Sequence, residues 1–332
     1  MAESSSCRSW NANALAVLFL TPAAIAAGVN MDHSPTFAEP TSPVVLDLGK
    51  LSGGSSSYAT AISADGRLVV GAANHGNYSQ VAFAWTPATG MISLDQSFYR
   101  RAFGYATAVS SDGSVVVGDR DEVGSGLLRA FRWTQQGGFV SLGVLPGADR
   151  SSANAVSADG GVVVGLSHSA FRWTERKGMV ALSGRTMFGA KAVSADGRMV
   201  FGDEMDDDAT YLVRWDEHGT VTRFQNPQGV VASFPAAVTP DGSIVVGQQH
   251  TSTGGPRNRV EAVVWYSPTK SVGLGFLHGG NYSKALAVNA NGTVIVGVAG
   301  DGSNRNTDTT FRWTPVGPQA RSPRRMSGLG LA

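Results

Sequence analysis

One short motif occurs six times in this chain, and the repetition constrains the fold more than any other feature. The first copy reads Ala-Ile-Ser-Ala-Asp-Gly-Arg-Leu-Val-Val-Gly over residues 61–71. Successive copies are separated by steps of 47, 47, 37, 45 and 50 residues, and a fixed period of this size indicates a repeat architecture. The copies are centred on Asp65-Gly66, Asp112-Gly113, Asp159-Gly160, Asp196-Gly197, Asp241-Gly242 and Asn291-Gly292.

Each copy has the pattern of a β-hairpin. Small and β-branched residues alternate before the Asp-Gly pair, that pair suits a tight turn, and an apolar β-branched run follows as a buried return strand. Repeated aspartates are also the residue type that would build a ring of acids or metal ligands. Asn291 stands in the last copy, so turn formation is the better explanation.

Two further motifs, Phe-x-Trp and Met-x-x-Leu or variants of them, follow the first five hairpins in the same order, and the first of the two follows the sixth. Each repeat therefore offers four strands, which we name A (before Asp-Gly), B (Val-Val-Val-Gly), C (Phe-x-Trp) and D (Met-x-x-Leu). Four strands in about 40–50 residues is the pattern of a propeller blade. The sequence predicts an all-β protein, a β-propeller of about six four-stranded blades over residues 44–317. We expect the strand C tryptophans to anchor blade packing; they are Trp85, Trp133, Trp173, Trp215, Trp265 and Trp313.

Strand A is predicted to lie innermost, because small residues fit where blades crowd at the axis. It carries two columns of them, and the positions between the columns hold no carboxylate. The columns are Ala59, Ala106, Ala153, Ala190, Pro235, Ala285 and then Ala61, Ala108, Ala155, Ala192, Ala237, Ala287. The positions between them are Thr60, Thr107, Asn154, Lys191, Ala236 and Leu286.

The two ends of the repeat region are out of phase. Residues 44–49 read as a lone D strand, and the last repeat lacks a D strand before Pro318. We therefore predict that the N-terminal strand closes the ring by completing the last blade. Residues 326–330 also match the D pattern, and would either compete for that edge or begin a seventh repeat. Residues 318–332 form a basic C-terminal tail.

Residues 1–28 have the pattern of a secretory signal. Arg8 precedes an apolar run over residues 14–20, and Ala24 to Ala26 offers an Ala-x-Ala exit. The run is too short to span a bilayer. A buried terminal helix is the alternative to a secretory signal. The only cysteine, Cys7, lies in this segment. Residues 29–43 read as a flexible lead-in. We expect a secreted, extracellular, periplasmic or cell-surface protein with no transmembrane span in the mature chain.

The three motifs together resemble the HAF-repeat family of exported bacterial proteins, whose units combine Ala-Val-Ser-Ala-Asp-Gly, Val-Val-Val-Gly and Ala-Phe-x-Trp. The resemblance covers about residues 44–314. It implies export, often as the passenger of an autotransporter with a C-terminal membrane barrel. Here only 19 residues follow Trp313, too few for such a barrel. Val81, Arg129 and Ser169 stand where the naming histidine would precede Ala-Phe in the first three copies.

The loops differ between the two faces of the predicted propeller. The A–B turns and several C–D turns are short and uniform, whereas the B–C and D–A loops vary in length and chemistry, as binding loops do. Aromatic and arginine side chains in such loops stack on sugars, hold a protein partner, or only pack the loops. The candidate ligand-binding residues are His75, Tyr78, Phe98, Tyr99, Arg100, Arg101, Phe103, His168, His250, His278, Asn281 and Tyr282.

An acidic run in a B–C loop is a weak candidate for a cation site. Hard cations prefer several carboxylate oxygens, but the run has no EF-hand spacing, so a solvated acidic loop is the better interpretation. Its residues are Asp203, Glu204, Asp206, Asp207 and Asp208.

Composition and motifs narrow the function. Lys and Arg total 26 against 25 Asp and Glu, which gives no signature of nucleic-acid binding. No phosphate-cradling, nucleophile-elbow or zinc-protease motif occurs, and no cofactor is indicated. The sequence predicts a non-catalytic binding module for an unidentified extracellular protein or glycan. An extracellular enzyme acting on glycans or peptides through loop residues is one alternative, and a structural passenger is another.

Overall fold

The computed structural model describes residues 45–75, 79–95, 103–121, 126–252, 259–277, 280–300, 308–315 and 327–328. These residues contain no helix, and their strands form six antiparallel units of four strands. Blades 1 to 3 are formed by β1 (Ser57–Ile62), β2 (Val69–His75), β3 (Ser79–Thr86), β4 (Gly90–Ser93); β5 (Gly104–Val109), β6 (Val116–Asp121), β7 (Leu128–Thr134), β8 (Gly138–Ser141); and β9 (Ser152–Val156), β10 (Val162–Ser167), β11 (Ser169–Thr174), β12 (Gly178–Ala181).

The second half of the chain repeats this order. Blades 4 and 5 are joined by one parallel bridge between Thr210 and Ala232. Blades 4 to 6 are formed by β13 (Ala190–Val193), β14 (Val200–Met205), β15 (Thr210–Trp215), β16 (Val221–Arg223); β17 (Val230–Val238), β18 (Val245–Thr251), β19 (Arg259–Ser267), β20 (Lys270–Gly275); and β21 (Ser283–Val288), β22 (Ile295–Gly300), β23 (Asp308–Trp313), β24 (Ser327–Gly328). The predicted all-β propeller with strand order A-B-C-D is confirmed.

The Asp-Gly pairs form turns, as predicted. In blade 3 the Asp159 carboxylate accepts the Ser157 hydroxyl at 2.6 Å and the Gly161 N–H at 2.9 Å. The Ser157 hydroxyl oxygen in turn accepts the Val162 N–H at 2.9 Å. Equivalent bonds occur in four other blades, and blade 6 keeps the turn with Asn289 and Asn291. The aspartates therefore serve the hairpins.

The position that ends each Val-Val-Val-Gly run requires glycine for a steric reason. Strand A carries a bulge between its two small residues, which brings its backbone close to strand B. A Cβ on Gly165 would lie 2.0 Å from the Ser152 carbonyl oxygen and 2.9 Å from the Phe171 ring. The same approach recurs in the other blades, so only glycine fits this column.

Consecutive blades share apolar layers. Leu142 and Leu145 of blade 2 pack with Val163 and Phe171 of blade 3, and each later neighbouring pair has a similar cluster. Strand A lies innermost, as predicted, because A strands contact one another from blade to blade. The Thr107 hydroxyl, for example, donates to the Ala153 carbonyl at 2.7 Å.

The tryptophans of strand C divide into two groups. Trp215, Trp265 and Trp313 are buried in the layers between blades. Trp85, Trp133 and Trp173 are half-buried and pack at the margins of such clusters. Their packing role is confirmed, although only half of them are fully enclosed.

The prediction for ring closure is corrected. Residues 45–50 form no strand, and Ser327–Gly328 pairs with β23 as the fourth strand of blade 6. The C-terminal D-like segment therefore occupies the edge that we assigned to the N-terminal strand. Its physical advantage is continuity, since it follows β23 in the chain and needs no long-range closure.

The N-terminal segment instead packs on blade 1. Leu51 is buried with Val69 and Phe83, and Leu48 packs beside them. The Ser57 hydroxyl donates to the Gly49 carbonyl at 2.9 Å, which repeats the bond from Ser151 to Gly143 after blade 2 and that from Ser283 to Gly275 after blade 5. The segment thus keeps the local D–A geometry without strand pairing.

Candidate functional site

A row of aromatic and lysine side chains crosses blades 4 to 6 on the face that carries the B–C and D–A loops. The Phe188 and Phe234 ring centroids are 5.3 Å apart, and those of Phe234 and His250 are 5.2 Å apart, both edge-to-face. A lysine ammonium lies over the ring at each end, 5.7 Å from Phe188 and 5.2 Å from Tyr282. We call this set the aromatic–lysine row; its members are Phe188, Lys191, Phe234, His250, Tyr282 and Lys284.

The fold positions these side chains from two sources. Phe234 and Lys284 stand at the same place in strand A of blades 5 and 6, directly before the first small residue. Phe188 belongs to the loop before β13, and its backbone N–H donates to the buried Asp203 carboxylate at 3.0 Å. The Met187 N–H donates to the same carboxylate. Asp203 therefore holds the loop that presents Phe188.

The electrostatics of the row are cationic. Burial lowers the pKa of Lys191, and the nearby Asp203 carboxylate opposes that shift only in part. Among the residues that the structure describes, no carboxylate oxygen lies within the 4.0 Å ion-pair distance of Lys191 or Lys284. Burial, and then the charge of Lys284, lowers the pKa of His250. The imidazole is thus neutral at pH 7 and lies 3.1 Å from the Gln248 amide nitrogen.

Apolar side chains extend the exposed part of the row. Phe188 is 38% exposed, Met187 beside it 46% and Leu286, next to Lys284 on strand A, 45%. Scattered exposed apolar residues are ordinary, but their combination on one face with edge-to-face rings, and with lysines that have no ion-pair partner among the described residues, is a feature of binding surfaces.

The structure brings only some of the predicted ligand-binding residues together. His250 and Tyr282 belong to the row, and the exposed Asn281 lies beside Tyr282. His168 is exposed at the tip of the β10–β11 hairpin with φ 53°, and His75 ends β2 in blade 1. These histidines lie on different blades and form no common centre with the row. The remaining predicted residues, Tyr78, Phe98, Tyr99, Arg100, Arg101 and His278, lie outside the described residues.

Phe103 lines a small cleft between blades 1 and 2. It is 46% exposed, and its neighbours include Arg120, whose guanidinium lies 4.5 Å from the Phe139 ring centroid and 3.6 Å from the Asp95 carboxylate. The cavity measures about 10 Å³, room for about one water molecule. This cleft suits loop packing better than ligand binding.

The acidic run is engaged within the protein. Arg223 donates to Glu204 at 2.8 Å and to Asp206 at 2.9 Å, while Arg185 donates to Asp207 at 3.1 Å. With Asp203 turned toward backbone N–H groups, these carboxylates do not converge, and the described part of the chain holds no group of three or more metal-ligating side chains. Asp208, the last residue of the run, follows Asp207 at the hairpin tip.

A second buried carboxylate lies between blades 2 and 3. Burial raises the pKa of Asp119 to about 6, although its bond from the Ser152 hydroxyl at 2.9 Å opposes the shift. Burial and the charge of Asp119 together raise the pKa of Tyr105. The bond from Ser152 of blade 3 to Asp119 of blade 2 joins the two blades, so Asp119 forms part of the interface between them.

Sequence reasoning missed four members of the row: Phe188, Lys191, Phe234 and Lys284. Two of them share a signal that was available. The column directly before the first small residue of strand A varies from blade to blade, and it contains Phe234 and Lys284. A variable position on the innermost strand, beside a fixed column, marks side chains that are not part of the repeated core, and Phe234 and Lys284 are both half-buried.

The comparisons with known proteins concern the fold. No protein-family model matches the chain, and no curated protein matches it. Similar solved structures include the putative TolB of Agrobacterium tumefaciens, with 18% identity, coverage of 65% of this chain and 80% of that chain, and a TM-score of 0.47. A prolyl endopeptidase structure is 12% identical, with coverage of 84% of this chain and 43% of that chain and a TM-score of 0.56. Oligogalacturonate lyase in complex with manganese is 14% identical, with coverage of 77% of this chain and 73% of that chain and a TM-score of 0.52.

The latter two similarities show the propeller fold, and at such identity they show the fold alone. This chain spans 43% of the length of the prolyl endopeptidase chain. No helix within the described ranges is long and apolar enough to cross a membrane.

Proposed function

We propose that this protein is a non-catalytic binding module that holds its ligand on the aromatic–lysine row. The proposal rests on one contrast between the two faces of the propeller. The A–B face repeats nearly the same hydrogen-bonded turn six times, whereas the opposite face presents the exposed Phe188 ring and two half-buried lysines that have no carboxylate within ion-pair distance among the described residues. Such a combination of aromatic anchors and charge is typical of interaction surfaces.

The proposal includes export. The pattern of residues 1–28 favours a secretory signal, and the resemblance to HAF repeats implies an exported protein. The ligand would then be a glycan or a protein met outside the cytoplasm, at the cell surface or in the periplasm. N-terminal sequencing of the protein recovered from its producing cells tests this part; an intact Met1 on cytoplasmic protein contradicts it.

The binding proposal is tested by screening the purified chain against a glycan array and against isolated cell-envelope proteins. We expect a ligand whose affinity falls at least about tenfold in the Phe188→Ala variant, a loss of about 1.4 kcal/mol. The matched control is Tyr266→Ala, because Tyr266 is 36% exposed and lies near Lys270 on the opposite face. That variant should bind as the wild type does.

Two results contradict the proposal. Equal binding by the wild type and Phe188→Ala would show that the row is not part of the binding interface. Turnover of a glycan or peptide by the wild type would favour the enzyme alternative, and substitution of His75 or His168 would then locate its groups.

A further inference from the structure

We infer that the ligand of the aromatic–lysine row is a carboxylate-bearing glycan, a polymer of uronic acid residues. This inference deepens the proposed function and rests on it. It follows from the charge of the row, from the spacing of its rings between two cations, and from the neutral polar groups beside them.

The charge of the row favours an anionic ligand. Lys191 is half-buried and has no ion-pair partner in the described residues, and the Asp203 carboxylate offsets the effect of its burial only in part. A further negative charge would stabilise a partly buried ammonium group. Lys284 likewise has no ion-pair partner among the described residues, and its charge disfavours protonation of His250. An anionic ligand would stabilise the charges of Lys191 and Lys284, whereas a cationic ligand would be repelled by them.

Among the described residues, the Asp203 carboxylate lies near the row, and it offsets the charge of Lys191 only in part. Asp203 accepts the backbone N–H groups of Met187 and Phe188, and burial raises its pKa. Its oxygens are therefore directed at the loop beneath Phe188. Glu261, in the neighbouring blade, accepts the Gly275 N–H at 2.9 Å and is occupied in a similar way.

The order of groups along the row matches a uronate polymer. Cations stand at both ends, and the Phe188, Phe234 and His250 rings lie between them at centroid separations of 5.3 and 5.2 Å. A uronic acid residue carries a carboxylate and an apolar C–H face on one rigid ring. It can pair with a lysine and stack on an aromatic ring at once, with little loss of conformational freedom.

Neutral polar groups complete the match. His250 at pH 7 offers one N–H donor and one acceptor, and the Gln248 amide lies beside it. Sugar hydroxyls need partners of both kinds. An acidic peptide fits less well, because its carboxylates lie on flexible side chains and leave the rings uncovered.

The test uses three probes on the full chain: polygalacturonate, its methyl ester and poly-L-glutamate. We expect polygalacturonate to bind, and the methyl ester, which has the same backbone without the charge, to bind at least about tenfold more weakly. Poly-L-glutamate should also bind more weakly than polygalacturonate. Binding of polygalacturonate should weaken with rising salt, because the contacts are charged.

Variants that remove the lysine charges test whether the row binds the anionic polymer. The double variant Lys191→Gln/Lys284→Gln should weaken polygalacturonate binding at least tenfold, with circular dichroism confirming its fold. The single variant Lys284→Gln, which keeps the charge of Lys191, should show a smaller loss. Lys270→Gln is the control, because Lys270 lies 5.6 Å from the Tyr266 ring in the same arrangement on the opposite face.

The outcomes separate the two proposals. Equal binding of the methyl ester, or stronger binding of poly-L-glutamate, overturns the uronate inference. Absence of polygalacturonate binding overturns it too. If a neutral ligand from the screen binds and depends on Phe188 but on neither lysine, the binding module stands and the uronate inference falls. If no ligand depends on Phe188, the proposed function itself fails.

Discussion

At the scale of single residues, the turn aspartates act through hydrogen bonds. The Ser157 hydroxyl and the Gly161 N–H lower the pKa of Asp159 below its ordinary 3.8. We expect Asp159→Ala to destabilise the protein by about 1 kcal/mol at neutral pH, and Asp159→Asn by less, since Asn291 performs the same role in blade 6. Because the folded pKa is lowered, the stabilisation by Asp159 is present above the ordinary value and is lost as pH falls below it. Urea unfolding at pH 7 and pH 3 measures both effects; equal losses for Ala and Asn would contradict the role of the acceptor.

The raised pKa of Asp119 predicts the opposite pH dependence of stability. Its pKa is raised from 3.8 to about 6 by burial, so protonation favours the folded state, and the stabilisation present below about 4 is lost as pH rises to about 6. In Asp119→Asn the amide oxygen still accepts the Ser152 hydroxyl, and no charge forms. We expect the free energy of unfolding of the variant, relative to that of the wild type, to rise by up to about 2–3 kcal/mol between these pH values. Parallel pH profiles for the two proteins would show that Asp119 does not titrate in this range.

At the scale of the element, the blade hairpin leaves no room at the strand B glycine. A methyl group at Gly165 would meet the Ser152 carbonyl at 2.0 Å, so we expect Gly165→Ala to cost about 3 kcal/mol or more. Gly161→Ser is the matched control, because the equivalent turn position holds Ser114 and Ser243 in other blades; its cost should stay within about 0.5 kcal/mol. Urea denaturation compares them, and a mild effect of Gly165→Ala would mean that the bulge of strand A relaxes.

The sequence predicts these elements well, because their determinants are local. The Ser-x-Asp-Gly turn, the strand B glycine and the small residues of strand A each follow from contacts within one hairpin or with the next blade. The aromatic–lysine row does not, since it joins Phe188, Phe234 and Lys284 from three blades whose loops share no motif. Closure also escaped prediction: residues 44–49 and 326–330 carry the same D pattern, and only the pairing of β23 distinguishes them.

At the scale of the whole molecule, the junction between blades 6 and 1 differs from the other five, because the described residues form a shared apolar cluster at each of those five junctions and none at this one. The A–B turns of blades 1 to 5 are linked in series by four backbone bonds, from Ala64 to Ser111 and onward to Pro240, and no such bond joins blade 5 to blade 6 or blade 6 to blade 1 in the part of the chain that the structure describes. Arg172 in blade 3 donates to the Gly197 carbonyl of the next blade at 2.9 Å, whereas Arg312, at the same position in blade 6, is exposed.

This junction predicts where the propeller opens first. Strand B is paired on both sides within every blade, so differences between B strands report the contacts between blades rather than those within them. Within the described ranges, blade 3 shares an apolar cluster with a neighbour on each side, and blade 6 shares one with blade 5 only. We therefore expect the amides of β22 to exchange with solvent at least about tenfold faster than those of β10, a difference of about 1.4 kcal/mol in opening free energy. Hydrogen exchange followed by mass spectrometry measures this on the intact chain, with β6 as a second internal reference. Equal protection of β22 and β10 would mean that blades 6 and 1 are joined as tightly as the others.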